Sequence, residues 1–133
     1  MLTWTKEYET GFPELDAQHR KLFEMIAQIT GLIDAPVIDV HAGLKLITFL
    51  EDYARNHFEC EERCMTATNC SSRDINHEAH QLFLEGVQRF KRDFAGGGNK
   101  RELLTILQTS MQAWLRNHIL KIDTKLRDVP KIS

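Results

Sequence analysis

The spacing of the apolar residues is what most constrains this chain. Over four long stretches they recur every three or four positions, with little of the alternation that a strand requires. The three prolines, Pro13, Pro36 and Pro130, all fall at the edges of these stretches. The first stretch predicts a helix from about Asp16 to Asp34, with Leu15, Leu22, Phe23, Ile26 and Ile29 on one face. Asp16 is its expected N-cap after the extended "GFPEL", and Pro36 stops it. A second helix is expected from about Asp39 to Met65, ending at the turn-forming run "TNCSSRD". A third, from about Arg73 to Phe94, carries the stripe Ile75, His80, Phe83, Leu84, Val87 and Phe90, and stops at "AGGGN". A fourth begins near Lys100 and runs beyond Ile122. Long helices joined by short links pack as antiparallel neighbours. The expected fold is therefore all-α, an up-down-up-down four-helix bundle. An extended N-terminal arm over about residues 1–15 precedes it, and a tail or linker over about 124–133 follows.

At 133 residues the chain suits one domain, residues 1–133, and can bury a core without disulfide support. A formal net charge of −2 argues against a nucleic-acid partner or an anionic membrane surface. No run of about twenty apolar residues is long enough to span a bilayer, and "MLTWTKEYETG" does not read as a secretory leader. The three cysteines, Cys60, Cys64 and Cys70, are odd in number and clustered, which fits a reducing cytoplasm better than a disulfide framework.

Five polar residues interrupt the apolar faces: His19, His57, Glu61, His80 and His118. A buried glutamate is costly unless it is paired or holds a metal. One such histidine is an ordinary hydrogen-bonded core residue, but here every helix supplies one, and all four can converge on the bundle centre. His57 and Glu61 are four apart on one helix face. His118 and Asp123 are five apart, and share a face if the last helix loosens at its end. Imidazoles with carboxylates suit iron, manganese or zinc, and two carboxylates among several histidines suit two ions, since a carboxylate can bridge. Cys60 and Cys64, with His57, offer a thiolate-rich zinc site as the alternative. Glu61 stands between them on nearly the same face, however, and cysteine is a common small core residue. Cys60 and Cys64 therefore read as core or as neighbours of the ligands. Cys70, in the turn, is given no role.

Four motifs occur in order: Asp-x-x-His within "LTWTKEYETGFPELDAQHRKLF", His-x-x-x-Glu in "HFECEE", then "HQLF", then His-x-x-x-x-Asp in "WLRNHILKID". In these the chain resembles the bacterial hemerythrins, oxygen-binding non-haem di-iron proteins, over nearly its whole length. The resemblance implies two iron ions bridged by Glu61 and Asp123. His19 and His57 would bind one iron, and His80 and His118 the other. It implies one coordination position open to dioxygen or a small anion, behind an apolar wall drawn from Phe58, Trp114, Leu115 and Ile119. The implied function is reversible dioxygen binding without catalytic turnover, for oxygen or redox sensing or for oxygen storage and delivery. A sensor would pass its state to an output domain, for which the tail marks an attachment point. The alternatives are a redox-active site handling peroxide or nitric oxide, and a zinc or purely structural bundle. The family's remaining histidine lies one turn before the position of His80. Here that place is Asn76, with His77 beside it. Asn76, a water or a re-aimed His77 could fill the position.

Overall fold

A computed structural model describes residues 3–129. It contains four α-helices: α1 (Pro13–Asp34), α2 (Val40–Ala67), α3 (Arg73–Ala95) and α4 (Lys100–Lys121). Helix α1 packs on α2 and α4, and α3 packs on the same two, which closes the antiparallel bundle. The expected all-α four-helix architecture is what forms.

Each helix end has an identifiable cause. Helix α1 opens at Pro13, whose fixed φ and missing N–H suit the first helical position. This corrects the expected start at Asp16. The Asp16 carboxylate instead accepts from both the backbone N–H and the hydroxyl of Thr10, at 2.8 and 2.9 Å, and so ties the arm to the first turn. Asp39 caps α2 by accepting from the Ala42 N–H at 2.9 Å, and Asn99 caps α4 through Glu102 in the same way at 3.0 Å. After α2, Asn69 takes a left-handed φ of 56°, and the Cys70 N–H returns to the Met65 carbonyl at 2.8 Å. Helix α1 has no basic residue in its last turn. Arg101 of α4 supplies the positive charge, donating to the carbonyls of Ile33, Ala35 and Pro36.

Helix α4 stops at Lys121 rather than running past Ile122. The chain tightens into a 3-10 turn over Asp123–Asp128 with Leu126 fully buried. Residues 124–129, expected as tail or linker, are thus part of the folded body. Arg127 reaches back to the carbonyls of Glu9, Lys6 and Glu7 on the arm. The arm contains its own 3-10 turn, Lys6–Tyr8, and lays Trp4 and Tyr8 against Phe23 with ring centroids 5.5 and 5.2 Å away. Residues 130–133, the rest of the expected tail, lie outside the described residues, as do residues 1 and 2.

The interior is layered. A long apolar cluster fills most of the bundle, with Ile29, Ile47, Leu50, Phe94 and Leu104 fully buried. A short apolar plug of Leu15, Met65, Cys70 and Leu126 closes one end. Cys70, unassigned from sequence, is therefore a core residue of the plug. Ile75, expected on the buried stripe of α3, is instead 59% exposed. Its neighbour Asn76 takes the inward position, because adjacent helical residues point about 100° apart. No helix among the described residues is long and apolar enough to cross a membrane.

Candidate metal centre

Between the long cluster and the plug lies a polar layer. Its residues come from the start of α1 (His19), the end of α2 (His57, Glu61), the start of α3 (Asn76, His80), the end of α4 (His118) and the following turn (Asp123). In an antiparallel bundle these positions all fall at one end. The four histidines and both carboxylates are buried, with Glu61 and His80 at 0% exposure. All six residues expected as ligands are thus brought together.

Each carboxylate divides its two oxygens between two pairs of histidines. Glu61 Oε2 lies 3.0 Å from His19 Nε2 and 3.2 Å from His57 Nε2, while Glu61 Oε1 lies 3.1 Å from His80 Nε2. Asp123 Oδ2 lies 3.1 Å from His19 Nε2, and its Oδ1 lies 3.2 Å from His118 Nε2. The 3-10 turn achieves the last two contacts. A continuous α-helix would put Asp123 about 140° around from His118, and ending α4 at Lys121 removes that offset. Two groups of potential ligand atoms result: His19, His57 and Glu61; and Glu61, His80, His118 and Asp123.

Apart from His19 with Glu61, these approaches are close without being hydrogen bonds. His80 Nε2 and both oxygens of Asp123 are buried and have no partner in hydrogen-bonding geometry among the described residues. Orphaned buried polar atoms are rare and expensive. Lone-pair atoms gathered about 3 Å apart with their donors misaligned are what a shared cation would satisfy. The donor set of imidazole and carboxylate fits divalent iron, zinc or manganese.

The outer nitrogens of two histidines are fixed by partners. His57 Nδ1 donates to Gln18 Oε1 at 2.6 Å, and Gln18 Nε2 reaches Cys60 Sγ at 3.7 Å. His80 Nδ1 donates to Glu62 Oε2 at 2.8 Å. With Nδ1 protonated in both, Nε2 is left as a lone pair facing the cluster. Neither Gln18 nor Glu62 was identified from sequence, since a partner to a ligand has no spacing signature. Cys60 meets Gln18 and Glu14 rather than the carboxylate layer, and Cys64 packs against the plug. Neither cysteine belongs to the two groups of converging ligand atoms.

Asn76, not His77, faces the cluster. It is fully buried, its Oδ1 accepting from His118 Nε2 at 2.7 Å and its Nδ2 donating to Glu61 Oε1 at 3.0 Å. His77 is 57% exposed and pairs with Glu62 Oε1 at 2.6 Å.

Electrostatics in the cation-free cluster follow from this packing. Burial opposes charge on His19, but Asp123 and Glu61 outweigh it and raise the imidazole to about 10. Burial also opposes charge on Glu61, but His57, His19 and His80 hold its carboxyl well below the usual range. For His57 burial prevails, helped by the charge of His19, and its pKa falls. For His80 burial is outweighed by Glu61 and Glu62, and its pKa rises.

The apolar side of the layer is aromatic. The Phe58 ring stacks on His80 at 3.8 Å and the Trp114 ring on His118 at 4.4 Å, with Leu115 and Ile119 buried beside them. All four residues expected in the wall pack into the long apolar cluster next to the layer.

Comparison with known proteins agrees with this geometry. The family described as "Hemerythrin HHE cation binding domain" matches residues 10–128. A bacteriohemerythrin of Pseudomonas aeruginosa is 30% identical over 99% of this chain and 83% of its own. One from Clostridium acetobutylicum is 27% identical over 96% of this chain and all of its own. A hemerythrin-like protein of Naegleria gruberi is 29% identical over 95% of this chain and 91% of its own. The chain is therefore a member of the hemerythrin family, whose bundles hold a di-iron centre.

Proposed function

We propose that this protein binds dioxygen reversibly at a non-haem di-iron centre, in oxygen or redox sensing or in oxygen storage and delivery. His19 and His57 would hold one ion and His80 and His118 the other, with Glu61 and Asp123 shared between them. The observation that carries this reading is the division of each carboxylate's two oxygens between the two histidine pairs. When bound, two ferrous ions supply the electrons and the coordination position that dioxygen requires. The chain's own residues do the rest. Gln18 and Glu62 hold the imidazoles of His57 and His80 in the ligating tautomer. Phe58, Trp114, Leu115 and Ile119 put carbon rather than water beside the imidazoles. That keeps bulk water from this side of the layer.

A second reading, redox handling of peroxide or nitric oxide, draws on Asn76. An amide oxygen is a weaker donor than an imidazole, so an ion beside His80 and His118 would be held less firmly there.

The purified protein decides between these. Two irons per chain, near-ultraviolet absorption in the diferric state and a spectral shift on adding azide are expected. Glu61→Ala is expected to stay helical by circular dichroism while losing iron. A colourless protein carrying zinc would end the di-iron reading. Steady consumption of peroxide that declines in Asn76→His would favour the second one.

A further inference from the structure

The histidines on the two sides of the cluster are backed by chemically different partners. His80 Nδ1 donates to the Glu62 carboxylate at 2.8 Å, whereas His57 Nδ1 donates to the neutral Gln18 amide at 2.6 Å. Glu62 is held on its other side as well. Its Oε1 lies 2.6 Å from Nδ1 of the exposed His77, so the carboxylate is clamped between two imidazoles one turn apart on α3. Glu62 is about one-quarter exposed, and Arg73, which lines the same surface cleft, pairs with Asp74 at 3.4 Å. Gln18 is clamped in turn, its amide nitrogen 3.7 Å from Cys60 Sγ.

A carboxylate that accepts from the outer N–H of a ligating histidine pulls that proton towards itself and makes the imidazole a stronger donor to its cation. A neutral amide orients the ring without comparable charge transfer. The inner shell does not offset this difference: both carboxylates converge with His80 and His118, only Glu61 converges with His19 and His57, and the additional group, Asn76, is uncharged.

Resting on the di-iron reading above, we propose that Glu62 is a positioning residue that makes the two ions electronically unequal. Acting through His80, it stabilises the ferric state on the ion held by His80 and His118. That ion gives up the first electron when the diferrous centre is oxidised. The ion held by His19 and His57, backed only by Gln18, stays ferrous until the second. With ferricyanide as oxidant, each step converts one ferrous ion to ferric and one ferricyanide to ferrocyanide. His77 keeps Glu62 in place from the surface, which gives this exposed histidine a function that ligation does not.

The test is a stepwise redox titration of the iron-loaded protein, followed by absorbance, with iron content measured in every variant. Partners of ligating histidines change cation affinity by about 10- to 100-fold. A tenfold change felt by the ferric state alone corresponds to about 59 mV for one electron. Glu62→Gln is expected to raise the potential of the first step by about that much at full iron content. Gln18→Glu, which gives His57 a carboxylate, is expected to lower the second step by a similar amount and leave the first nearly in place. An unmoved first step in Glu62→Gln at full iron content overturns the proposal while leaving the di-iron reading intact. If Glu62→Gln fails to load iron, Gln18→Glu decides alone, and an unmoved second step overturns the proposal. A wild-type chain that holds no iron overturns both.

Discussion

At the scale of single residues, the centre turns on which atom of each side chain faces inward. Asn76 places a weakly donating amide where its helix face points at the cluster, between His118 and Glu61. The oxygenated form of the iron-loaded protein is therefore expected to be short-lived, because an ion beside Asn76 would have an amide where an imidazole would bind more firmly. Asn76→His adds a nitrogen donor. It should tighten iron binding at least about tenfold and lengthen the oxygenated lifetime, read as the decay of its visible band. His77→Ala should leave iron content unchanged. If His77→Ala strips iron instead, the inward register of α3 is wrong. The protonation of His19 gives a second prediction. In the cation-free protein its pKa is about 10, above an unfolded value of 6.5. The His19 interaction with Glu61 and Asp123 is thus fully present below 6.5 and lost as pH rises through about 10. Glu61 runs the other way: its contribution is present above 4.5 and lost as pH falls through its depressed value. A cation must displace the His19 proton. Zinc added to weakly buffered, metal-free protein at pH 7 should release at least about one proton per chain, and apparent affinity should rise about tenfold per pH unit. An indicator dye or calorimetry in two buffers reads this, and uptake without proton release would contradict it.

At the scale of helices, close approach is set by a few positions. A Cβ built on Gly43 of α2 would meet the Phe94 ring of α3 at 2.9 and 3.0 Å. Phe94 is fully buried and stacked on Phe90 at 5.2 Å, so its ring has little room to yield. Gly43→Ala gains about 1 kcal/mol of helix propensity and loses about 1–3 kcal/mol to overpacking. The clash should win, by about 1 kcal/mol, lowering the melting temperature by about 2–5 °C. A higher melting temperature would show that the ring swings aside. The α2–α3 contact also buries a carboxylate far from the centre: Glu51 pairs with Lys91 at 2.9 Å and accepts from Gln88. These two partners come from α3, while Arg55 of α2 lies 3.7 Å from the same carboxylate, so Glu51 ties the two helices together midway along the bundle.

At the scale of the whole molecule, the polar layer is a stability liability that a cation removes. Without one, two carboxylates and four imidazoles share a buried layer in which three atoms of His80 and Asp123 lack any hydrogen-bond partner among the described residues. The long apolar cluster does not depend on them, so the helices should persist when metal is removed. A ligand at a thousand times its dissociation constant stabilises the folded state by about 4 kcal/mol. For a domain of this size that is about 10 °C or more. Reduction followed by chelation should lower the melting temperature by about that amount, with the far-ultraviolet helix signal retained at 25 °C. Loss of all helix on chelation would mean that the centre, not the apolar cluster, holds the bundle together.

Some of this was legible in the sequence because it is local. The four apolar stripes follow from a period of about 3.6 residues, and Pro13, Pro36 and the glycine run mark where they break. The candidate ligands announced themselves as polar residues on otherwise apolar faces, and His57 with Glu61 by a spacing of four. Other features depend on how each helix is rotated and where it ends, which packing at distant positions decides. Sequence left Asn76 and His77 as rivals because neighbours differ by about 100° of rotation. The buried face of α3, through Leu84, Val87 and Phe94, selects Asn76. Asp123 joins the layer only because α4 ends at Lys121 and tightens, with Leu126 anchored in the plug. Glu62 and Gln18 find His80 and His57 across helix–helix contacts 18 and 39 residues apart in sequence. The candidates for holding a cation can be picked out from short segments, since helical period and side-chain chemistry are local properties. Which of their atoms face the layer, and what stands behind them, depends on the relative rotation of four helices and emerges only from their packing.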